Sequence, residues 1–269
     1  MKNFTKILFA MLFACTQAFT TQAQDLTLQG VLDLTVPGGG SAGKAVHLHA
    51  LAAISDLSAY GVSVASNGNG AETSEEYTFP AISVAAGDDI LLARDTTVML
   101  AYLSYGSSEF EHVLLANSYI SQNGNDAIQL WHDTVWVETF GDPSDNPDTQ
   151  GSGCGTDPTC WDYEDAWAYR TGANTTGDNS FVIGDWNIAD VNCTDGGTTI
   201  YDNSCLYSIC PIVGCTDPLA CNYDPLAVLD DGSCSSDGLY VLTMYDSYGD
   251  GWSGNTFDII DASGIVVST

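Results

Sequence analysis

The sequence predicts an all-β protein built as a sandwich or barrel, followed by a segment held together by disulfides. Between residue 25 and about residue 140, short stretches of alternating apolar and polar residues are separated by Gly, Asn and Asp turns. The 35 acidic residues comprise 28 Asp and 7 Glu, and Asp favours turns where Glu favours helices. The chain is 45% hydrophobic and 10% aromatic, which is sufficient for a packed core.

The strands are predicted from runs of β-forming residues that end at turn residues. In chain order they are residues 26–36, 45–51, 61–65, 76–79, 89–93, 112–115, 127–131 and 134–140. Residues 95–105 fit neither the strand nor the helix period cleanly and are predicted to contain a helical turn. A loop-rich stretch follows, whose aromatic residues are predicted to close the open edge of the core: Trp161, Tyr163, Trp167, Tyr169, Phe181 and Trp186.

Residues 1–23 have the pattern of a secretory signal peptide. Lys2 and Lys6 form a basic start, an apolar run follows, and residues 21–23 (Thr-Gln-Ala) supply the small residues of a cleavage site. The apolar run is shorter than the ~20 residues that a spanning helix needs, so no membrane span is expected. The alternative is a lipoprotein signal cleaved before Cys15. Either way, the protein is predicted to be secreted or held at the cell surface.

The charge of the chain restricts its partners. The formal net charge is −30, and removal of the signal peptide leaves three basic residues (Lys44, Arg94 and Arg170) and a charge of −32. Phosphate contacts are made mainly by Lys and Arg, so this composition argues against nucleic acid bound through a basic surface. It argues equally against docking to anionic lipid. Divalent cations are expected to stabilise the protein by relieving its self-repulsion.

Eight cysteines remain after removal of the signal peptide, and they all lie between residues 154 and 234. An even, clustered set in an exported chain predicts disulfides. Zinc is the alternative, but no C-x2-C pair is present and no histidine lies among these cysteines. The set is Cys154, Cys160, Cys193, Cys205, Cys210, Cys215, Cys221 and Cys234, with Cys154–Cys160, Cys193–Cys205 and Cys215–Cys234 as the predicted pairs.

These patterns divide the chain into four predicted parts. They are a signal peptide (1–23), a β-sandwich (24–192), a cysteine-rich repeat segment (193–237) and an incomplete β module (238–269). The last part has two predicted strands, at residues 240–245 and 256–260. Two or three strands rarely stand alone, so the last part predicts that the chain is a fragment of a longer protein.

Two groups of residues are candidates for metal binding. His47 and His49 are two apart on one predicted strand and therefore share a face that could hold zinc or copper. The sequence identifies no third ligand, so a packing role is the favoured interpretation. Calcium is the other candidate cofactor, and its candidate ligands are the carboxylates of Asp246, Asp250, Asp224, Asp230 and Asp231. The favoured alternative is that these carboxylates cap turns.

No set of residues in the sequence assembles a catalytic site. The chain contains neither G-x-S-x-G nor H-E-x-x-H, and every cysteine has a predicted disulfide role. The protein is therefore predicted not to be an enzyme. Exposed aromatic rings could bind a glycan or another polymer, and the candidates are Trp131, Trp136 and Trp252. For Trp131 and Trp136, core packing or cross-strand pairing is the alternative.

Short motifs spread between residue 25 and about residue 192 carry a family resemblance. They are residues 43–48 (GKAVHL), 54–62 (ISDLSAYGV), 86–92 (AGDDILL), 123–130 (NGNDAIQL) and 167–170 (WAYR), with Phe181 and the Gly184-Asp185-Trp186 segment. With these motifs the stretch resembles a lamin-tail domain of the kind found in exported bacterial proteins. The resemblance implies an immunoglobulin-like β-sandwich and a non-catalytic module, often attached to secreted nucleases, phosphatases and other hydrolases.

Residues 214–234 resemble a repeat that is common in exported proteins of the Bacteroidetes. The pattern is GCTDPLACNYDP followed by DDGSC. The resemblance implies secretion and lineage, and it names no activity.

The predicted function is that of an exported, non-catalytic β-sandwich module for attachment, substrate proximity or protein interaction. Its expected partner is an extracellular protein or polysaccharide. One alternative is the accessory portion of a secreted nuclease or phosphatase whose catalytic domain lies outside this chain. The other alternative is a calcium-dependent adhesive or structural protein.

Overall fold

The structure is a computed structural model that describes residues 24–147, 159–171, 179–202, 205–209, 212–235, 259–260 and 266–268. The chain divides into two compact units, Met1–Cys210 and Pro211–Thr269, and each is described by itself. The predicted signal peptide lies outside the described residues.

The described part of the first unit contains ten strands and one α-helix, close to the predicted stretches. The helix begins where Asp95 accepts a hydrogen bond from the Val98 backbone N–H at 3.0 Å, as an N-cap residue does. The elements are β1 Leu26–Asp33, β2 Lys44–Ala50, β3 Tyr60–Ala65, β4 Tyr77–Thr78, β5 Asp89–Ala93, α1 Thr96–Leu103, β6 His112–Leu115, β7 Ala127–His132, β8 Val135–Phe140, β9 Ala166–Arg170 and β10 Trp186–Ile188.

These strands form two sheets that pack face to face, which confirms the predicted all-β class. The larger sheet has the order β10-β9-β1-β2-β5-β6 and the smaller has the order β4-β3-β7-β8. All neighbours are antiparallel except β5 and β6. The core between the sheets contains buried residues of both, such as Leu48 and Ile90 from the larger sheet and Val62 and Leu130 from the smaller.

A β-bulge in β1 places apolar side chains of this strand in two hydrophobic cores, one on each side of the larger sheet. The register with β2 shifts between Leu28 and Gly30. Because one extra residue reverses the alternation of side chains, Leu28 and Val31 both face the core between the sheets, while Leu32 faces the opposite side. The bulge therefore explains why the apolar residues of β1 do not alternate evenly in the sequence.

The outer face of the larger sheet is also buried, against α1 and residues 200–207. This second core contains Leu91, Met99, Tyr102, Trp167 and Tyr207, among others. Strand β5 consequently buries side chains on both faces, which accounts for its uninterrupted apolar stretch. The sequence predicts that Trp167 is one of the aromatic residues that close the sandwich core. It lies in this second core instead, because its strand position places it on the other face of the sheet.

The Cys193–Cys205 disulfide, which the sequence predicts, closes the loop that supplies this second core. Thr194 accepts a hydrogen bond from the Thr35 backbone N–H at 3.0 Å, and Trp167 donates its indole N–H to the Cys205 carbonyl at 3.0 Å. The predicted boundary after residue 192 therefore falls inside the first unit. Residues 193–209 bury apolar side chains against the sandwich rather than depending on cross-links alone.

Replacing Gly30 with alanine is expected to lower the free energy of unfolding by about 1–3 kcal/mol. A Cβ atom at this position would lie 1.8 Å from the Tyr207 hydroxyl oxygen and 3.2 Å from the Ala168 carbonyl oxygen. The ring of Tyr207 must then move out of the second core. Urea unfolding of the oxidised protein measures the change. Gly40→Ala is the matched control, because nothing lies within 4 Å of a Cβ there. Equal stability of both variants would contradict the close approach.

The described part of the second unit contains short strands joined by turns. Strand β11 (Val213–Gly214) pairs in parallel with β12 (Leu229–Asp230). The predicted Cys215–Cys234 disulfide joins the residue directly after β11 to a residue shortly after β12. Strands β13 (Ile259–Ile260) and β14 (Val266–Ser268) pair antiparallel. The first of the two strands predicted in this last part, at residues 240–245, lies outside the described residues. None of the described helices has the length and apolarity needed to cross a membrane.

Candidate functional site

The predicted histidine pair meets at a single carboxylate. His47 and His49 are two residues apart on β2, and Asp89, the first residue of β5, lies opposite His49. One oxygen of Asp89, Oδ1, lies 2.8 Å from His47 Nε2 and 2.8 Å from His49 Nδ1. A carboxylate only accepts, so each ring donates its N–H to that oxygen. Burial raises the pKa of Asp89, but the hydrogen bonds donated by His47 and His49, with the electrostatic effect of the two rings, outweigh it and lower this pKa below its ordinary value.

His47 is fully buried and held in its neutral form. Burial lowers the pKa of its imidazole, against the opposing effect of Asp89. With Nε2 donating, Nδ1 accepts the hydroxyl proton of Tyr207, whose oxygen is 2.9 Å away. The rings of Phe110 and Tyr169 complete the surroundings. This chain of contacts joins β2, β5 and the 200–207 segment, so the group acts as a packed, hydrogen-bonded element of the second core.

The histidine cluster has the residue types of a metal site but not the required arrangement. Within the described residues, no group of three or more His, Cys, Asp or Glu side chains has a geometry that holds a metal ion. Nearby, His112 Nε2 lies 2.9 Å from Asp88 Oδ2. These contacts agree with the packing interpretation of the two histidines.

The described carboxylates predicted as calcium ligands each cap a turn of their own. Asp224 Oδ1 accepts from the Leu226 N–H at 2.9 Å, and Asp230 Oδ1 accepts from the Gly232 N–H at 2.9 Å. Asp231 Oδ1 accepts from the Ser233 N–H at 2.8 Å, and the hydrogen bonds from Ser233 lower the pKa of Asp231. These are Asx turns, the alternative interpretation of the pattern. Asp246 and Asp250 lie outside the described residues, and calcium binding stays a prediction.

The cysteines agree with the predicted pairing where both partners are described. Besides the two disulfides above, Cys160 is disulfide-bonded. Its predicted partner, Cys154, lies outside the described residues, as does Cys210. Neither of those two disulfides joins Cys221 to another described cysteine, and its disulfide role stays a prediction. Cys221 is exposed, and its backbone N–H donates to the Ser235 carbonyl at 3.0 Å.

Lys44, Arg94 and Arg170, the three basic residues outside the predicted signal peptide, are engaged within the first unit. Lys44 Nζ lies 2.5 Å from Asp33 Oδ1, and both side chains are buried. Arg170 pairs with Glu138, also buried, and Arg94 donates to the Ile120 carbonyl at 3.0 Å. The described surface consequently carries acidic side chains with almost no cationic ones between them.

Titration of Asp33 is expected to have its midpoint at about pH 6. Burial raises the pKa of this carboxyl from 3.8 to about 6, and the Lys44 ammonium limits the rise. The folded protein binds this proton more tightly than the unfolded chain does. This group therefore stabilises the fold most below about pH 3.8, and the contribution is lost as the pH rises through about 6.

Carbon-13 NMR of the Asp33 carboxyl carbon measures this midpoint. In Lys44→Met the midpoint should rise further, because the charge that lowers it is gone. A wild-type midpoint at the ordinary value of 3.8 would contradict the burial of this carboxyl.

An open cavity of about 350 Å³ lies beside strand β8, the edge strand of the smaller sheet. Its apolar lining includes the rings of Trp136 and Phe181, and its polar lining includes Asp142, Ser144 and Asn179. We call this the β8 groove. Trp136 comes from β8 itself, and the turn after β8 brings Asp142 and Ser144 to the same cavity.

The β8 groove contains one of the three predicted aromatic platforms. Trp136 is partly exposed, and its indole N–H donates to the Glu138 carbonyl at 2.8 Å. Trp131, on the adjacent strand, lies opposite Trp136 in the register of β7 and β8, which is the cross-strand pairing alternative. It is buried and donates its indole N–H to the Ser63 hydroxyl at 2.8 Å. Trp252 lies outside the described residues.

Sequence reasoning missed the polar residues of the groove. Asp142 lies in the loop-rich stretch that follows residue 140, and its Oδ1 accepts a hydrogen bond from the Ser144 backbone N–H at 2.8 Å. Asn179 lies 37 residues further along the chain. The local signal, a polar turn directly after a Trp-containing strand, was present for Asp142 but absent for Asn179.

Comparison of the chain with protein-family models, with curated proteins and with solved structures gives no match. The function is therefore inferred from the geometry of the chain itself.

Proposed function

We propose that this protein is an exported, non-catalytic β-sandwich module that attaches to material outside the cell. The β8 groove carries the proposal, since it is an open cavity in which aromatic rings and polar side chains converge. Such a combination of apolar floor and few polar groups suits binding more than chemistry. The resemblance to lamin-tail domains, non-catalytic modules of secreted proteins, forms part of the same proposal.

The histidines support a binding role over a catalytic one. A general base has to reach a substrate proton directly or through one water. His47 is fully buried, and both of its ring nitrogens are already bonded within the fold. His49 is hydrogen-bonded to Asp89, and His112 is hydrogen-bonded to Asp88. These contacts tie the histidines to the larger sheet, whereas the open β8 groove offers a surface to a partner.

Disulfides and charge support a location outside the cell. Structural disulfides persist in oxidising compartments, and two described pairs cross-link the cysteine-rich segment. A net charge of −30 favours solubility and repels nucleic acid. The signal-peptide pattern of residues 1–23 supplies the export route.

Export and pull-down together test the proposal. The full chain, secreted with its own leader, is expected to begin near Gln24 and to be retained by at least one insoluble extracellular material, such as a polysaccharide or a washed cell envelope. Retention should disappear after reduction and alkylation, which serves as the unfolded control. Retention by none of these materials would contradict attachment. Release of soluble product from them would contradict the non-catalytic role.

A further inference from the structure

The lining of the β8 groove identifies a class of ligand. We propose that the groove binds an uncharged hexose unit of a polysaccharide chain, stacked on Trp136 and hydrogen-bonded by Asp142 and Asn179. This inference rests on the proposed attachment function and specifies its ligand. A cavity of about 350 Å³ is at the small end of ligand sites and accommodates about one or two sugar rings. Because the cavity is open, the rest of a polymer can continue beyond it.

Trp136 is oriented before any ligand binds. Its indole N–H is bonded to the Glu138 carbonyl two residues along the same strand. The polar end of the side chain is therefore used within the fold, and the ring contributes an apolar surface to the cavity. A pyranose ring presents a face of C–H groups, which packs on the electron-rich face of an aromatic ring. Fixing the ring in advance reduces the entropy lost on binding.

Hydrogen-bonding groups stand at the rim of this aromatic surface. Only Oδ1 of the exposed Asp142 has a partner among the described residues, so Oδ2 is an available acceptor. The Asn179 amide is exposed, and no described residue bonds to it; it supplies both a donor and an acceptor. Adjacent sugar hydroxyls also present both functions. A carboxylate beside an amide matches such a pair, and Phe181 adds a second apolar wall.

Charge selects an uncharged glycan over an acidic one. The groove lining contains Asp142 and no basic residue. The three cations outside the signal peptide are engaged elsewhere, at Asp33, at Glu138 and at the Ile120 carbonyl. A uronate or sulfate group would therefore meet a carboxylate and no counter-charge. A peptide strand pairing with β8 is also disfavoured, because the indole of Trp136 occupies the Glu138 carbonyl.

Affinity electrophoresis and calorimetry with defined polysaccharides test the assignment. The oxidised full chain is expected to bind a neutral glucan or mannan and to bind neither alginate nor heparin. Trp136→Ala and Asn179→Ala should each weaken binding at least tenfold. Asn179 is exposed, so its variant tests the site even where Trp136→Ala fails to fold. Tyr119→Ala is the matched control, because this exposed aromatic residue lies outside the groove lining and should leave binding unchanged.

The outcomes separate this inference from the attachment function. Binding to neutral glycans that both groove variants weaken supports the saccharide site. Retention on an extracellular material that neither variant changes would overturn the saccharide site and leave attachment standing. Preference for acidic polysaccharides or for peptides would also overturn it. Retention on nothing would overturn both proposals.

Discussion

Arg170→Met is expected to lower the free energy of unfolding at pH 7 by about 3–5 kcal/mol, since it leaves the carboxylate of Glu138 buried without its counter-charge. Glu138 lies on β8 in the smaller sheet, and Arg170 lies on β9 in the larger one. The pair thus bridges the two layers of the sandwich. The guanidinium also donates from Nε to the Leu28 carbonyl at 2.8 Å and lies over the ring of Trp186, 4.5 Å from its centre.

The carboxylate of Glu138 is the centre of a buried network. Besides the guanidinium, it accepts from the Thr27 hydroxyl and the Leu28 N–H, each at 3.0 Å, and from the Gln24 amide at 2.7 Å. Burial raises the pKa of Glu138, and the charge of Arg170 is the largest effect opposing that rise. Without the arginine the pKa should rise further, so the loss of stability should shrink as the pH is lowered and Glu138 takes up a proton.

Urea unfolding at pH 7 and pH 4 measures both effects. Arg94→Met is the matched control: this arginine contributes one hydrogen bond to the Ile120 carbonyl, and its loss should cost about 1 kcal/mol. The double variant Glu138→Leu with Arg170→Met should be more stable than Arg170→Met alone, because no buried charge remains. A loss below about 1 kcal/mol, or one independent of pH, would contradict the network.

Phe140→Ala is expected to cost about 3–5 kcal/mol, the range for removing a buried aromatic ring. Phe140 ends β8 and is fully buried. Four rings surround it, with centroids 4.7–5.9 Å away, from Trp161, Tyr163, Phe181 and Trp186. All four come from described residues on either side of β9. The aromatic residues that precede and follow β9 therefore pack around this one side chain.

Near-UV circular dichroism and chemical unfolding measure the loss. The aromatic signal of the folded protein should fall, since the four neighbouring rings lose their fixed surroundings. Val135→Ala on the same strand is the control; Val135 is 61% exposed, and its variant should change stability by less than about 0.5 kcal/mol. Glycan binding should weaken in Phe140→Ala as well, because Phe181 contacts Phe140 and lines the groove. An unchanged aromatic signal would contradict this packing.

The strands were predictable because their determinants are local. Residues 89–93 and 112–115 were predicted with the bounds that β5 and β6 have, since β-forming runs between turn residues specify a strand without reference to its neighbours. Residues 95–105 were predicted to contain a helical turn, and α1 lies within them. The burial of both faces of β5 was not predictable. It depends on which segments cover the outer face of the sheet, and these are α1 and distant residues such as Ile200 and Tyr207.

The candidate site was predictable only in part. Trp136 was identified because aromatic residues are few and distinctive in a sequence. Nothing in the sequence placed Asn179 beside it, because the two residues meet only after β9 and β10 have joined the larger sheet. The buried ion pair of Glu138 and Arg170 was missed for the same reason, as 32 residues separate its members.

The sequence by itself determined the all-β class, most strand positions, the pairing of two disulfides and the acidic character of the protein. Each follows from residue type and short-range spacing. The tertiary structure alone decided that His47 is buried and neutral, that both faces of the larger sheet are covered, and that Trp136 borders a cavity. The physical reason is that burial and electrostatic environment are set by contacts between residues far apart in the chain, and local patterns carry no information on which residues will meet.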